Sequence, residues 1–176
     1  MNGVQGDRLI NFYLGKSSDD AGRTIEDIWR FSFSDLEEVH DYIQWLFPLK
    51  TRSAFNPDAP TLRSDTITAF HDDPSLRDRV RRSLEVMLTF YGLELDRSDP
   101  TQAVIRKNTT FPTRSVSWLQ PYDHNHLRLT RILTSLRLLG LPDLSSALCR
   151  CLQEIVRENP DRVTAETVAF WAKTQD

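Results

Sequence analysis

Two arginines and a histidine follow one another at helical spacing in the second half of the chain. Arg128 and Arg131 are three residues apart, and His124 lies one turn before Arg128. Guanidinium groups bind carboxylates and phosphates in pairs, and a helix N-terminus adds positive potential, so this spacing is typical of an anion site. A partly buried arginine also needs an acid, and we favour the alternative of an internal salt bridge. The candidate acids are Asp27, Glu37 and Asp41.

Two His-Asp pairs, His40-Asp41 and His71-Asp72, resemble the motif of metal-dependent HD phosphohydrolases. Such enzymes hold a metal with a separate histidine, an HD pair and a distant aspartate, and His124 or Asp123 could complete such a set. The structural alternative is that His71 caps a helix end and His40 borders an apolar face. We favour that alternative over metal chemistry.

Four aromatic residues could line a groove for a short peptide, and they are Trp29, Tyr42, Trp45 and Trp118. Aromatic rings are frequent in such grooves because they bury a large apolar area and keep a polar edge. For Trp45 we favour the simpler interpretation, a place in the core. The segment 50–56 follows Trp45 closely, so we expect it at the rim of any open groove.

The two cysteines, Cys149 and Cys151, are two residues apart on a predicted helix, so their side chains point in different directions and cannot readily form a disulfide. We expect buried, reduced thiols, as in the cytosol. Nucleophile motifs, glycine-rich phosphate loops and zinc spacings are absent from the sequence. We therefore expect no cofactor, and the sequence gives more support to binding than to catalysis.

These candidates are positioned by predicted helices, of which two carry most large apolar side chains. Residues 35–47 form the first, with Ser34 and Glu37 as a capping box and Pro48 as its end. Residues 124–139 form the second, with apolar groups on two sides, so we expect it to be nearly enclosed. We expect these two helices to lie against each other at the centre.

The remaining segments surround that centre. Helices are predicted over residues 24–29, 61–71, 74–91, 141–158 and 164–173, and residues 7–14 are either a short helix or an ordered arm on the core. Residues 48–60 lack periodicity and predict a loop held by Leu49 and Phe55. Residues 93–121 are irregular, and 103–105 are either a short strand or an ordered loop. The prediction is an all-α, compact single domain over residues 1–176, with about six to eight helices around two central ones.

Composition limits the class of protein. A chain of 176 residues with 39% hydrophobic residues can form one core, and no apolar run is long enough to span a bilayer. The formal charge of −3 provides no general basic field, so we expect no nucleic-acid partner. The N-terminal residues lack a signal-peptide pattern, and we expect a cytoplasmic protein.

Four blocks of sequence resemble the conserved domain of the opioid growth factor receptor family. They are HDYIQWLFPL at 40–49, APTL at 59–62, MLTFYG at 87–92, and RLTRIL at 128–133 with LGL at 139–141. The resemblance covers residues 10–155 and implies a soluble protein without seven membrane helices, described in animals as a receptor for the peptide Met-enkephalin. It carries over no set of peptide-binding residues.

The sequence therefore predicts a binding module of this type for a peptide or protein. The alternative is a hydrolase-like enzyme that uses His40, Asp41, His124 and Arg128 on a phosphorylated or acidic substrate. The candidate ligand-binding residues are His40, Asp41, Trp45, His124, Asn125, Arg128 and Arg131.

Overall fold

The structure of the chain is a computed structural model that describes residues 7–98 and 101–176. The protein is mostly helical, at 57%, with ten α-helices and a two-stranded sheet in its described part. The helices are α1 Arg8–Tyr13, α2 Ile25–Trp29, α3 Phe33–Glu38, α4 Ile43–Leu46, α5 Ser64–Asp72, α6 Pro74–Tyr91, α7 Phe111–Arg114, α8 His124–Leu138, α9 Pro142–Glu158 and α10 Ala165–Lys173. The strands are β1 Leu93–Asp96 and β2 Val104–Lys107. The prediction of a mainly α-helical fold is confirmed, although the helices are more numerous than predicted and the sheet is an addition.

The chain divides into two compact units, Met1–Ser83 and Leu84–Asp176, and the division falls within α6. The first unit has an aromatic core. The rings of Phe12 and Trp45 have centroids 5.0 Å apart, and the Tyr13 ring meets the Phe70 ring edge-on at 4.9 Å. The hydroxyl of Tyr13 also donates a hydrogen bond to the carbonyl oxygen of Leu46. These aromatic contacts join α1, α4 and α5, and buried residues of α2, α3 and α6 add to the core of this unit.

The predicted helix over residues 35–47 is wrong as a single element, because it is broken between α3 and α4. The capping box lies earlier than predicted, at Ser32 and Asp35, and the backbone is already extended at Val39. The hydroxyl of Tyr42 donates to the carbonyl oxygen of Leu36 at 2.8 Å, so a side chain satisfies a helix-end acceptor. As predicted, the second segment ends before Pro48. The predicted packing of this stretch against α8 stays a prediction.

In the second unit an antiparallel hairpin follows α6, inside the stretch predicted to be irregular. Leu93 pairs with Lys107 and Asp96 with Val104 in the register of β1 and β2. Arg106 donates to Glu94 and to Asp96, both at 2.9 Å, which ties its own strand to the neighbouring one. Of the optional strand at 103–105, residues 104–105 thus lie in β2, and β1 is its partner.

Three long elements, α8, α9 and α10, complete the second unit. The hydroxyl of Ser145 on α9 donates a hydrogen bond to the carbonyl oxygen of Leu133 on α8 at 2.9 Å. The indole N–H of Trp171 on α10 donates to the backbone carbonyl oxygen of His126 on α8 at 3.4 Å. The expectation that α8 is nearly enclosed is only partly met, because Leu127 is 63% exposed.

Both cysteines lie on α9 and are free and buried. Burial raises the pKa of Cys149, and burial with nearby Glu154 raises the pKa of Cys151 to about 11. They are therefore packed as small apolar side chains with little thiolate character. None of the helices in the described residues has the length and apolar content to cross a membrane.

Candidate functional site

The candidate residues fall into two sets, one in each unit. His40, Asp41 and Trp45 lie in the first unit, and His124, Asn125, Arg128 and Arg131 lie on α8 in the second. Each set occupies one short stretch of sequence, so local geometry alone brings its members together.

Asp41 is held by an arginine that the sequence analysis did not single out. Arg23 donates from Nε to Asp19 at 2.7 Å and from Nη2 to Asp41, also at 2.7 Å. Burial opposes the charge of Arg23, but the hydrogen bonds that it donates to the carboxylates of Asp19 and Asp41 raise its pKa above the ordinary value. The carboxyl group of Asp19 is fully buried and also accepts the backbone N–H of Ala21. Asp41 thus belongs to a structural ion-pair network.

The break around His40 and Asp41 is closed by amide side chains. The amide nitrogen of Gln44, in the orientation that satisfies its surroundings, donates to the carbonyl oxygens of His40 and Asp41, both at 3.2 Å. The side chain of Asn56 donates to the carbonyl oxygen of Asp41 at 3.2 Å. His40 itself is exposed. The backbone here is fixed by side chains from two other segments, which no local pattern reveals.

Trp45 is only 1% exposed, so it is a core residue, as the sequence analysis favoured. Its ring contacts Phe12, and the guanidinium of Arg8 lies 5.1 Å from its centroid. Tyr42 and Trp118 are also buried. These rings therefore do not line an open groove in this structure.

The predicted cationic site lies at the start of α8, where Asp123 caps the helix. Its carboxylate accepts the backbone N–H of Asn125 at 2.8 Å, and Nδ1 of His124 lies 3.8 Å from it. The negative charge of Asp123 therefore neutralises part of the positive potential of the helix N-terminus, which was predicted to attract an external anion.

Asn125 and Arg128 form a buried polar cluster with Tyr91. The side-chain oxygen of Asn125 accepts from the Tyr91 hydroxyl at 3.4 Å and from Nη1 of Arg128 at 3.3 Å. Arg128 is only 5% exposed, and Asn125 is fully buried. The amide of Asn125 thus positions the guanidinium of Arg128, which is a role that sequence spacing alone did not indicate.

Arg131 follows three residues after Arg128 on α8 and is half-buried. Burial lowers the pKa of its guanidinium, which means that the surroundings disfavour an isolated charge and favour an anionic neighbour. Asp41 bonds Arg23 and Asp27 lies 3.5 Å from Arg30, both within the first unit. The predicted salt bridges from α8 to Asp27, Glu37 or Asp41 stay predictions.

The metal-dependent alternative finds no support. Among residues 7–98 and 101–176, no group of three or more His, Cys, Asp or Glu side chains could hold a metal ion. His71 lies in the last turn of α5, and its carbonyl oxygen accepts a hydrogen bond from Arg77. Nothing in the geometry favours the hydrolase that would use His40, Asp41, His124 and Arg128.

His126 is a buried polar residue of α8 that was not among the candidates from the sequence. Its Nε2 lies 3.0 Å from the carbonyl oxygen of Trp118, and its ring meets that of Trp171 edge-on at 5.8 Å. Its Nδ1 is buried and has no hydrogen-bond partner in the described part of the chain. A neutral ring with its proton on Nε2 fits these contacts. The signal was available, because Leu129 and Leu133 follow three and seven residues later on the same helical face.

We expect His126 to make the protein less stable in mild acid. Burial lowers its pKa, while the Trp118 carbonyl and Asp123 oppose this shift and His124 adds to it. Because the folded state binds this proton less tightly than the unfolded chain does, its contribution to stability is complete above about pH 6.5. It decreases as the pH falls from there through the folded-state pKa. Urea unfolding from about pH 8 to about pH 5 measures this dependence.

His126→Gln should remove this part of the pH dependence, because the glutamine amide does not titrate. The matched control is His71→Gln, which changes an exposed histidine and should leave the dependence as in the wild type. The same acid dependence in His126→Gln and in the wild type would contradict the assignment.

Comparison with known proteins decides the family. The model of the opioid growth factor receptor (OGFr) conserved region matches residues 7–175. The chain belongs to the opioid growth factor receptor family. No solved structure matches the chain significantly.

Members of the opioid growth factor receptor family from animals are similar over most of the chain. The mouse opioid growth factor receptor is 39% identical over 136 residues, which are 76% of this chain and 21% of that protein. The human receptor is 35% identical over 136 residues, 76% of this chain and 20% of its own length. Opioid growth factor receptor-like protein 1 of Xenopus tropicalis is 35% identical over 155 residues, 85% of this chain and 29% of its own length. The chain thus spans about a fifth to three tenths of these relatives.

Proposed function

We propose that this member of the opioid growth factor receptor family is a peptide- or protein-binding module whose ligand contact lies on the first turns of α8. The relatives are named as receptors, which supports a binding role. The observation that carries the location is the pair of cationic side chains there, of which Arg128 is buried and Arg131 half-buried. Arg128 is held by Asn125, and Arg131 lies on the same helix in surroundings that lower its pKa.

The chemistry of that pair favours a carboxylate ligand. A guanidinium forms its strongest hydrogen bonds with anionic oxygens, and partial burial strengthens the attraction because water screens it less. A peptide presents such a group at its C-terminus or on an acidic side chain. We therefore propose Arg131 as the ligand contact, with Arg128 and Asn125 positioned behind it and His124 beside the cap.

Met-enkephalin, the peptide that the family resemblance implies, tests this proposal in isothermal titration calorimetry. The peptide with a free C-terminal carboxylate should bind about tenfold to a hundredfold more tightly than its C-terminal amide, because a hydrogen bond to a charged group contributes roughly 1.5–3 kcal/mol. Arg131→Ala should remove that difference while its far-UV circular dichroism and thermal midpoint remain those of the wild type.

Two further variants separate a ligand role from a structural one. Arg131→Lys keeps the charge and should retain part of the preference for the free carboxylate, since lysine lacks the paired donors of arginine. Arg137→Ala removes another arginine of α8 and should bind like the wild type. Equal or absent heat with both peptides would contradict the proposal. Unfolding of Arg131→Ala would assign the residue to the fold instead.

We also propose that residues 1–176 work as one domain, in the cytosol, on protein partners and not on nucleic acid. The family match extends across the division of the chain within α6, which supports one functional domain. Free, buried cysteines are typical of a reducing compartment. The formal charge of −3 supports the expectation about nucleic acid.

A further inference from the structure

The loop of residues 49–62 in the first unit is closed and internally bonded. The backbone N–H of Leu62 donates to the carbonyl oxygen of Leu49 at 2.9 Å, which joins its two ends. The hydroxyl oxygen of Ser53 accepts the backbone N–H groups of Phe55 at 3.2 Å and of Asn56 at 3.3 Å. Asn56 in turn bonds the carbonyl oxygen of Asp41. The loop therefore has the closed ends and internal bonds of an Ω-loop, the kind of surface loop that often carries function.

Phe55 lies on this loop with 82% of its surface exposed, although the sequence analysis expected it to hold the loop to the core. Ala59 and Leu62 are buried in its place. Burying a phenylalanine side chain is favourable, and the exposed ring of Phe55 leaves this stabilisation available to a partner. Because hydrogen bonds already fix the backbone at Phe55, the loop would lose little conformational entropy when a partner covered the ring.

The charges of the loop are mainly positive. Lys50 and Arg52 are exposed and have no ion pair with any side chain of residues 7–98 and 101–176. Asp58 is the only acidic residue of the loop in the sequence. Two unpaired cations within five residues of an exposed aromatic ring form a basic, apolar surface on a chain whose formal charge is −3.

We infer that this loop is a docking surface for an acidic linear segment of a partner protein, with an apolar residue between the acids. The ring of Phe55 would pack on the apolar residue, and Lys50 and Arg52 would pair with the flanking carboxylates. An anionic membrane is a weaker fit, because the electrostatic attraction of two basic residues is too small to hold a protein at a bilayer. This surface lies in the first unit and the contact proposed on α8 lies in the second, so the inference goes beyond the proposed function.

The test uses the full chain and two synthetic peptides, acetyl-EELFEE-amide and the charge-reversed acetyl-KKLFKK-amide. Neither has a free C-terminal carboxylate, and Arg131→Ala, which removes the contact proposed on α8, should bind the acidic peptide like the wild type. Titration of the ¹⁵N-labelled protein with the acidic peptide should shift amide signals in the loop 49–62, and the basic peptide should not. Added salt should weaken binding of the acidic peptide.

Three variants locate the contact. Phe55→Ala and the charge reversal Arg52→Glu should each weaken binding of the acidic peptide by about tenfold or more. Phe170→Ala, which removes an exposed phenylalanine of α10, should bind like the wild type. Since the changed side chains are exposed, all three should keep the wild-type circular dichroism spectrum.

Other outcomes would overturn the inference. These are unchanged affinity in Phe55→Ala, signal shifts outside the loop, or no binding of the acidic peptide. Binding of equimolar phosphatidylcholine and phosphatidylserine vesicles in preference to the peptide would assign the loop to a membrane. If Met-enkephalin does not bind, the inference about the loop 49–62 still stands. If the acidic peptide does not bind, the proposal about α8 still stands.

Discussion

Trp45→Ala is expected to lower the free energy of unfolding by about 3–5 kcal/mol. The indole is almost completely buried and packs against Phe12, with Arg8 over its face. Removal of a large aromatic side chain loses its transfer free energy and leaves a cavity that the surrounding helices fill only in part. The shift of the urea midpoint at constant slope measures the loss.

The control is Phe55→Ala, which removes an exposed aromatic ring of the same unit. Its stability should remain within about 0.5 kcal/mol of the wild type. Equal, small effects of both substitutions would contradict the placement of Trp45 in the core and would reopen its role in a peptide groove.

Gly92→Ala is expected to cost about 2–5 kcal/mol, because two unfavourable effects add. Gly92 follows α6 with a φ of +78°, a left-handed conformation that side chains with a Cβ adopt only at a cost of about 1–2 kcal/mol. A Cβ there would also lie 2.7 Å from the Cα of Phe111 and 3.0 Å from the Cβ of Arg114. Since the first of these atoms is backbone, the start of α7 would have to move.

Gly22→Ala separates the two effects. Gly22 has a φ of +79°, but a Cβ at this position would meet nothing within 4 Å. Gly22→Ala should therefore lower the free energy of unfolding by about 1–2 kcal/mol, the cost of the left-handed backbone conformation alone. Thermal or urea unfolding of both variants gives the difference. If Gly92→Ala lowers the free energy of unfolding no more than Gly22→Ala does, then the start of α7 can move away from the added Cβ at no cost in stability.

Helices with strong local signals were predictable from the sequence. The bounds of α6 agree with the prediction because Asp73 and Pro74 mark its start and Gly92 its end. The backbone N–H of Ser75 donates a hydrogen bond to the Asp73 carboxylate at 2.8 Å. Asp73 therefore caps the N-terminus of α6, as the adjacent residues Asp73 and Pro74 predict. The helix α9 was predictable for the same reason, since Pro142 begins it and Pro160 follows its end.

Elements that depend on distant partners were not predictable. The apolar arc of residues 36–47 fits one helix, but Asp41 bonds Arg23, and Asn56 bonds the backbone of Asp41. These contacts stabilise a break that amphipathic periodicity cannot reveal. The strand β1 is four residues long and is defined by its pairing with β2, so its own sequence carries little signal.

The candidate site was predictable in its residue types and only partly in its roles. Helical spacing placed Asn125, Arg128 and Arg131 on the first turns of α8, where the structure has them. That Asn125 accepts from both Tyr91 and Arg128 depends on the end of α6 lying beside α8 within the second unit. Spacing along one helix contains no such information.

The burial of Cys149 and Cys151 has a practical consequence for studies of the loop 49–62. Both thiols are inaccessible, and the raised pKa values leave almost no thiolate to attack a maleimide dye at neutral pH. A single cysteine introduced by Phe55→Cys would be exposed and would react first. A fluorophore could therefore be attached to that loop in the native protein, with both natural cysteines left in place.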